Sequence, residues 1–530
     1  MEHNTLFFDK FKGIRTVNPL ADPFSGIMSA ISSKNVELKF SNNGDNVGIY
    51  TMLGNRAIAT LSDEQQIIRG QWESVQNGIR YWIVYATDDT RGYLYNYLYS
   101  SQSFELIYDG LSPSSECNAI TVAQGFTDYL FFTNGIDAPV AVNIMSTPQY
   151  QTVNAVDAEG RDIRGLGLES YDGRLVMLSG NRVHWSKQLD IFDWSANDTG
   201  NLTNAAYQEF DRNTTACIFY DNRLIVWTLD NSVAFTGNPA DTVSFLRSGA
   251  SGGGCTSFGS VLRFDNKVFY YDHKARNIFA YYLYDVGQTR PTDGFGDNVR
   301  RYFNQIDETK FNRIYLLPFI SEQKNEIWLK LPTVSGSIIL VLDYTKGEWL
   351  VRDEQSIVSF LTFNNAVYSS FENKILREYL DSTFNGEFRG AEYLFNIVNC
   401  GSDSNLKIPK YPIILTLDSA YHNDFYIDFT YNDNPETTKT KHISRGYPSN
   451  VLIWVDNDDD LSGGWWSDDD ADTTGGVWID NNSYNVLLRV PNLLPFKQLQ
   501  MRIYTLESPQ DFGIKRIEMK RVKIKTKTMT

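Results

Sequence analysis

Residues 180–194 read GNRVHWSKQLDIFDW, and their types could carry proton-transfer chemistry. His184 is one of five histidines in 530 residues, and Asp190 and Asp193 follow it within nine positions. An imidazole oriented by a carboxylate is a general base near neutral pH, because the carboxylate fixes the tautomer and stabilises the imidazolium. Strand alternation argues against that use. Val183 and Trp185 share one face, Arg182 and His184 share the other, and both aspartates fall after the strand in a turn that ends at Trp194. The reading this supports is a strand with a polar turn. Trp185 and Trp194 are expected to pack, and no catalytic residue is assigned.

Three other stretches offer chemistry. GASGGGC at 249–255 is glycine-rich but lacks the Gly-Lys-Ser/Thr of a phosphate cradle, so a flexible inter-blade loop, or one that admits a close backbone neighbour, is expected. DYTKGEWLV, with Asp343, Gly347 and Trp349, is similar in composition to the Asp-box of sialidase propellers, but its spacing is wrong, and a turn before a core tryptophan is the better reading. Between 456 and 480 nine aspartates stand without a lysine or arginine. Asp456, Asp458 and Asp460 match the first ligands of a calcium loop, yet Leu461 replaces the required Gly and Ser467 the bidentate Glu, which excludes an EF-hand. A solvated hairpin tip is expected, with a divalent-ion site or a subunit contact anchored by Trp465 and Trp466 as the alternatives. The C-terminal tail has the opposite sign, with Lys515, Arg516, Lys520, Arg521, Lys523, Lys525 and Lys527 against Glu518. It reads as a solvated edge strand guarded by charge. The alternative is an arm in which Lys520, Arg521, Lys523 and Lys525 dock on an acidic neighbour, the two charge runs being complementary between subunits.

The elements that must position these residues are short strands. Aromatics make up 14% of the chain, and Asn, Asp, Gly, Ser and Thr interrupt nearly every apolar run, which suits pleated surfaces joined by tight turns. A net charge of −16 repels phosphate and excludes a general nucleic-acid binder. Cys117, Cys217, Cys255 and Cys400 lie 100, 38 and 145 residues apart, without metal-ligand spacing or the density of a disulfide framework. No cofactor motif is present. MEHNTLFFDKFKG has no apolar signal core, and no apolar stretch approaches the roughly 20 residues of a membrane span, so a soluble protein made in the cytoplasm is expected.

A recurring landmark organises the middle of the chain: a turn dipeptide, usually a charged residue, then an apolar strand. Measured at Tyr81, Leu130, Leu175, Leu224, Val268, Ile327 and Val367, the spacings are 49, 45, 49, 44, 59 and 40. A four-stranded antiparallel unit repeated at this interval predicts a β-propeller, since one blade cannot bury both faces alone. The fold class is therefore all-β, a propeller of about seven blades over 75–385. The 59-residue interval has room for an insertion near PTDGFGDNVRRYFNQ. Residues 1–74 are expected to be an N-terminal arm and strands packing on the propeller. Residues 386–530 are expected to be a separate C-terminal β-sandwich or sheet domain, with AEYLFNIVN, PIILTLDS, FYIDFTYND, NVLIWVD, YNVLLRVP and KQLQMRIYTLE among its strands.

The N-terminal GIRTVNPLADPF, then KNVELKFSNNGDNVGIYTMLGNRAI, resembles the opening of tail nozzle proteins of short-tailed bacteriophages, also called tail stabilisation or tail tubular B-type proteins. YLFFTNGIDAPVAVNI, YDGRLVMLSGNRVHWSKQLDIFDWS, DYTKGEWLVRD and VYSSFENKILREYLD fit the same series. The likeness covers about residues 12 to 385 plus the C-terminal sheet, and it rests on order and spacing instead of one diagnostic motif. It implies a structural virion protein of the tail: a homo-hexameric ring below the portal and adaptor. Such a ring extends the channel for double-stranded DNA, helps retain and then eject the genome, and contacts distal fibres, spikes or a plug. No catalytic residue is implied. The competing expectation is a phage-tail propeller that binds or cleaves a receptor glycan.

Overall fold

The computed structural model describes residues 3–525 except 17–19, 23–24, 41–46, 196–200, 242, 250–252, 283–294, 321–323, 335, 353–356, 381–382, 399–405, 409–412, 419–420, 422, 445–484, 491–494 and 507. The chain is nearly all β, with seven blades arranged as a β-propeller and, in addition, a further sheet region. Two units divide it: residues 54–347 with 353–381, and residues 1–53 with 348–352 and 382–530.

The landmark works through the hairpin that joins the first two strands of a blade. Asp172, Asp221, Asn222, Asp265, Asn266, Asn364 and Asn365 all take positive φ, between 47° and 58°. Short polar side chains tolerate this region, and a two-residue turn built from it matches the twist of antiparallel strands. All seven landmark residues accordingly lie on the second strand of a blade. Tyr81 is on Ile79–Thr87, Leu130 on Thr127–Thr133, Leu175 on Arg174–Ser179 and Leu224 on Arg223–Thr228. Val268 is on Lys267–Asp272, Ile327 on Asn325–Thr333 and Val367 on Ala366–Phe371.

The first strands make the inner ring. Ile67–Gln76, Asn118–Gln124, Gly167–Tyr171, Thr214–Tyr220, Val261–Phe264, Tyr315–Ile320 and Phe360–Phe363 each touch the next, and the last touches the first. Between successive blades lie apolar clusters, such as Trp82 with Tyr368 and Ile375, or Trp185 with Leu224 and Phe235. Each blade thus buries its faces against its neighbours, as the repeat requires.

The seventh blade is completed from far away in the chain. Asn55–Thr60 pairs antiparallel with Lys374–Glu378, setting Ala57 opposite Leu376 and Asn55 opposite Glu378. The expected boundary at residue 75 is corrected by this clasp and by Ile67–Gln76, which is the inner strand of the first blade. A strand that closes a ring has its partner some 320 residues away, and no local pattern reports that pairing. The long fifth interval holds short helical turns, Asp297–Val299, Arg300–Phe303 and Glu308–Arg313, between blades five and six.

The second unit is one hydrogen-bonded sheet of 14 strands drawn from both ends of the chain. The N-terminal strands before residue 54, expected as an arm and strands packing on the propeller, share a sheet and a core with the C-terminal region, Phe8, Phe11 and Ile49 packing with Ile427, Met501 and Ile517. Expected strands appear as Glu392–Phe395, Ile413–Asp418, Asp424–Tyr431, Asn485–Val490 and Leu499–Tyr504. NVLIWVD lies outside the described residues.

Candidate functional site at the propeller mouth

The histidine of the opening stretch sits on the third strand of blade three, Arg182–Trp185. The alternation holds: Val183 and Trp185 enter the apolar cluster towards blade four, while Arg182 and His184 face a polar network. Arg182 reaches Asp157 at 3.1 Å, Glu159 at 3.0 Å and Glu209 at 3.4 Å, and its guanidinium lies 4.4 Å from the Tyr207 ring centroid. The Tyr207 hydroxyl donates to Glu159 at 2.7 Å. Asp157 accepts the backbone N–H groups of Glu159 and Arg161, each at 2.9 Å.

His184 is only 4% exposed, and burial pushes its pKa down to about 4, with Arg182 lowering it further and Asp157 opposing. It is therefore neutral at pH 7 and shut away from substrate. Asp190 and Asp193 make no hydrogen bond to it. Asp190 accepts the Phe192 N–H at 3.1 Å, and Asp193 accepts the Ser195 N–H at 3.0 Å, so both are turn carboxylates. Trp185 and Trp194 are buried. The network ties the loop between blades two and three to the outer strands of blade three. Asp157 and Glu159 are about 25 residues from His184 in sequence, and only the DAEG turn they sit in marked them.

A second constellation lies where the first strands of five blades begin. Arg69 stands on the inner strand of blade one, Ser115, Glu116 and Cys117 precede that of blade two, and Arg313 and Ile314 precede that of blade six. The three-residue turn Phe258–Ser260 leads into blade five and sets the Phe258 ring 6.0 Å from that of Tyr315. Lys330 lies opposite Tyr315 in the ladder of blade six, and its ammonium donates to the Val358 carbonyl at 3.1 Å, just before blade seven.

Arg313 spans this mouth, its guanidinium donating to Ser115 Oγ at 3.3 Å. Arg69 donates to Thr87 Oγ1 at 3.0 Å. Burial lowers the pKa of Arg69, and the charge of Arg313 lowers it further. Lys330, 8% exposed, is pushed down to about 7 by burial, with Arg313 adding to the shift. Glu116 is raised by burial although Arg313 opposes. Burial also raises Cys117 and Tyr315, leaving a neutral thiol and phenol in the wall.

No family model and no curated protein matches the chain. Among solved structures it is similar to the computationally designed Ika8 protein, at 15% identity and a TM-score of 0.34, over 61% of this chain and 100% of that one. It is also similar to the extracellular domain of the one component system BT4673 of B. thetaiotaomicron, at 11% identity and a TM-score of 0.39, over 73% of this chain and 47% of that one.

The residues expected at subunit contacts fall elsewhere. Trp465 and Trp466, with the whole acidic stretch, lie outside the described residues. Lys520, Arg521, Lys523 and Lys525 belong to the strand Gly513–Lys525. That strand is not an edge, which corrects the expectation. His3–Phe8 and Val47–Thr51 pair along one side of it, and Ile413–Asp418 and Leu406–Ile408 along the other. At Lys523 both neighbouring positions are taken, by His3 and Ile408, so the ladder is closed on both sides there. No group of His, Cys, Asp and Glu that could hold a metal occurs among the described residues, and no helix among them is long and apolar enough to cross a membrane.

Proposed function

We propose that the protein is a structural subunit of a bacteriophage tail, a nozzle component that assembles as a homo-hexameric ring in the virion and carries out no catalytic step of its own. The observation that carries this reading is the fate of the most reactive-looking stretch. His184 is neutral and buried, and the charged groups around it bind one another and a loop. Chemistry of this kind holds blades in place instead of turning over a substrate.

The order of the segments that resemble tail nozzle proteins supports the same reading, as does a net charge of −16, which suits a wall past which DNA slides without adhering. In this proposal the duplex travels between subunits and not through a propeller. Arg313, before blade six, reaches Ser115, before blade two, at 3.3 Å, a separation that admits no duplex. The portal or adaptor would meet one face of the ring, and fibres, spikes or a plug the other.

The test is electron microscopy of purified particles with the protein labelled. Label in a six-fold ring at the tail is the expected result. A stable monomer that never enters particles would overturn the reading.

A further inference from the structure

The propeller mouth places like charges together in a chain that is otherwise strongly acidic. Arg313 donates to Ser115, two residues before Cys117, whose thiol lies against Gly70 beside Arg69, and Arg313 stands two residues before Tyr315, which pairs with Lys330 in the ladder of blade six. The shifts of Arg69, Lys330 and Glu116 agree with that placement, each feeling the charge of Arg313. Two guanidinium groups and a lysine pushed down to about 7 thus share one neighbourhood with Glu116, whose ionised form is disfavoured by burial. Cations held at short range in a partly desolvated setting repel one another, and a bound anion relieves that cost.

The arrangement is built and not incidental. The three cationic side chains come from blade one, the segment leading into blade six and the second strand of blade six. The inner ring brings their starting ends to one place, next to the segments that begin blades two, five and seven. Arg313 is exposed and stands at the rim, so a solute can reach it. Lys330 is buried, and an ammonium has three donors, of which the Val358 carbonyl takes one. Arg69 uses its Nε on Thr87, leaving the terminal nitrogens of its planar fork for an oxyanion. Tyr315 and Phe258 provide an aromatic flank.

We propose that the mouth of the propeller binds a small oxyanion, a phosphate or carboxylate group, clamped by Arg313 at the rim with Arg69 and Lys330 below it. This inference does not depend on the tail assignment, since it concerns one propeller in isolation. A free anion and an acidic group presented by a partner share the same chemistry, and the two arms below separate phosphate from carboxylate preference.

The full chain would be titrated calorimetrically with inorganic phosphate and, separately, with acetate, alongside the variants Arg313→Gln and Lys330→Met. Saturable one-to-one binding of at least one anion is expected, weakened about tenfold or more by Arg313→Gln, the size of one lost charge-assisted contact. The exposed Arg313 position keeps the test independent of folding, and thermal unfolding of Lys330→Met with and without the anion adds a second readout, in which the anion-induced rise in Tm should vanish. Absence of saturable heat for both anions, or an affinity that Arg313→Gln leaves within about threefold of the parent, overturns the proposal.

Discussion

Asn55 donates its side-chain amide to both carboxylate oxygens of Glu378, at 3.0 and 3.2 Å, across 323 residues of chain. Both residues are buried, and the Ser369 hydroxyl also donates to Glu378. This pair sits where Asn55–Thr60 completes the seventh blade, so the circle of blades is closed by a ladder and by a buried carboxylate whose partners come from both ends of it.

Replacing Asn55 by Ala removes the amide that bonds both oxygens of that carboxylate and is expected to cost about 1–3 kcal/mol. Asn55→Asp sets two buried carboxylates face to face and should cost more. Urea unfolding midpoints compare the two. Midpoints equal to the parent would mean that the backbone ladder closes the ring unaided.

Trp185 is 1% exposed, with its ring 5.8 Å from Phe235 and 5.4 Å from Phe245. Trp185→Ala should destabilise by about 3–5 kcal/mol. Trp185→Phe should cost distinctly less, because the indole N–H has no hydrogen-bond partner to lose and an aromatic ring remains between the blades. The ordering of the two variants in thermal unfolding decides the point.

His184 makes the propeller acid-sensitive in a definite window. Its folded pKa of about 4 lies below the ordinary 6.5, so the unfolded chain binds the proton first as pH falls. The contribution is fully present above pH 6.5, is lost progressively towards pH 4, and totals on the order of 3 kcal/mol. Asp157, held below its usual range by the N–H groups of Arg161 and Glu159 against its own burial, adds its loss only at lower pH. His184→Gln should flatten the stability profile between pH 6.5 and 4, and an unchanged slope in denaturant titrations would sink the assignment.

Exchange of Lys520, Arg521, Lys523 and Lys525 for Ser tests the proposed ring. If these charges meet an acidic neighbour, incorporation into particles should fall and the defect should depend on salt. Full incorporation at every ionic strength would assign the lysines and arginine to solvation alone.

The repeat was legible because its cause is local. A turn dipeptide with positive φ sets the hairpin in five of the blades, at Asn77-Gly78, Asp172-Gly173, Asp221-Asn222, Asp265-Asn266 and Asn364-Asn365, and the alternating strand that follows is equally local, so all seven landmarks from Tyr81 to Val367 land on second strands. The same alternation placed Trp185 and His184 on opposite faces. The network around His184 was only half legible, since Asp157, Glu159 and Tyr207 reach it from another loop and another strand.

What the sequence by itself determined was therefore the blade, its turn chemistry and its buried face, all products of neighbouring residues and a period of two. Tertiary structure alone decided the clasp of Asn55 on Glu378, the joining of both chain ends in one sheet, and the approach of the segments that carry Arg69, Arg313 and Lys330. Those relationships arise from closing a ring and satisfying strand edges over hundreds of residues. Hydrogen bonding and apolar burial reward whichever distant partner fits, and no stretch of sequence carries its partner's address.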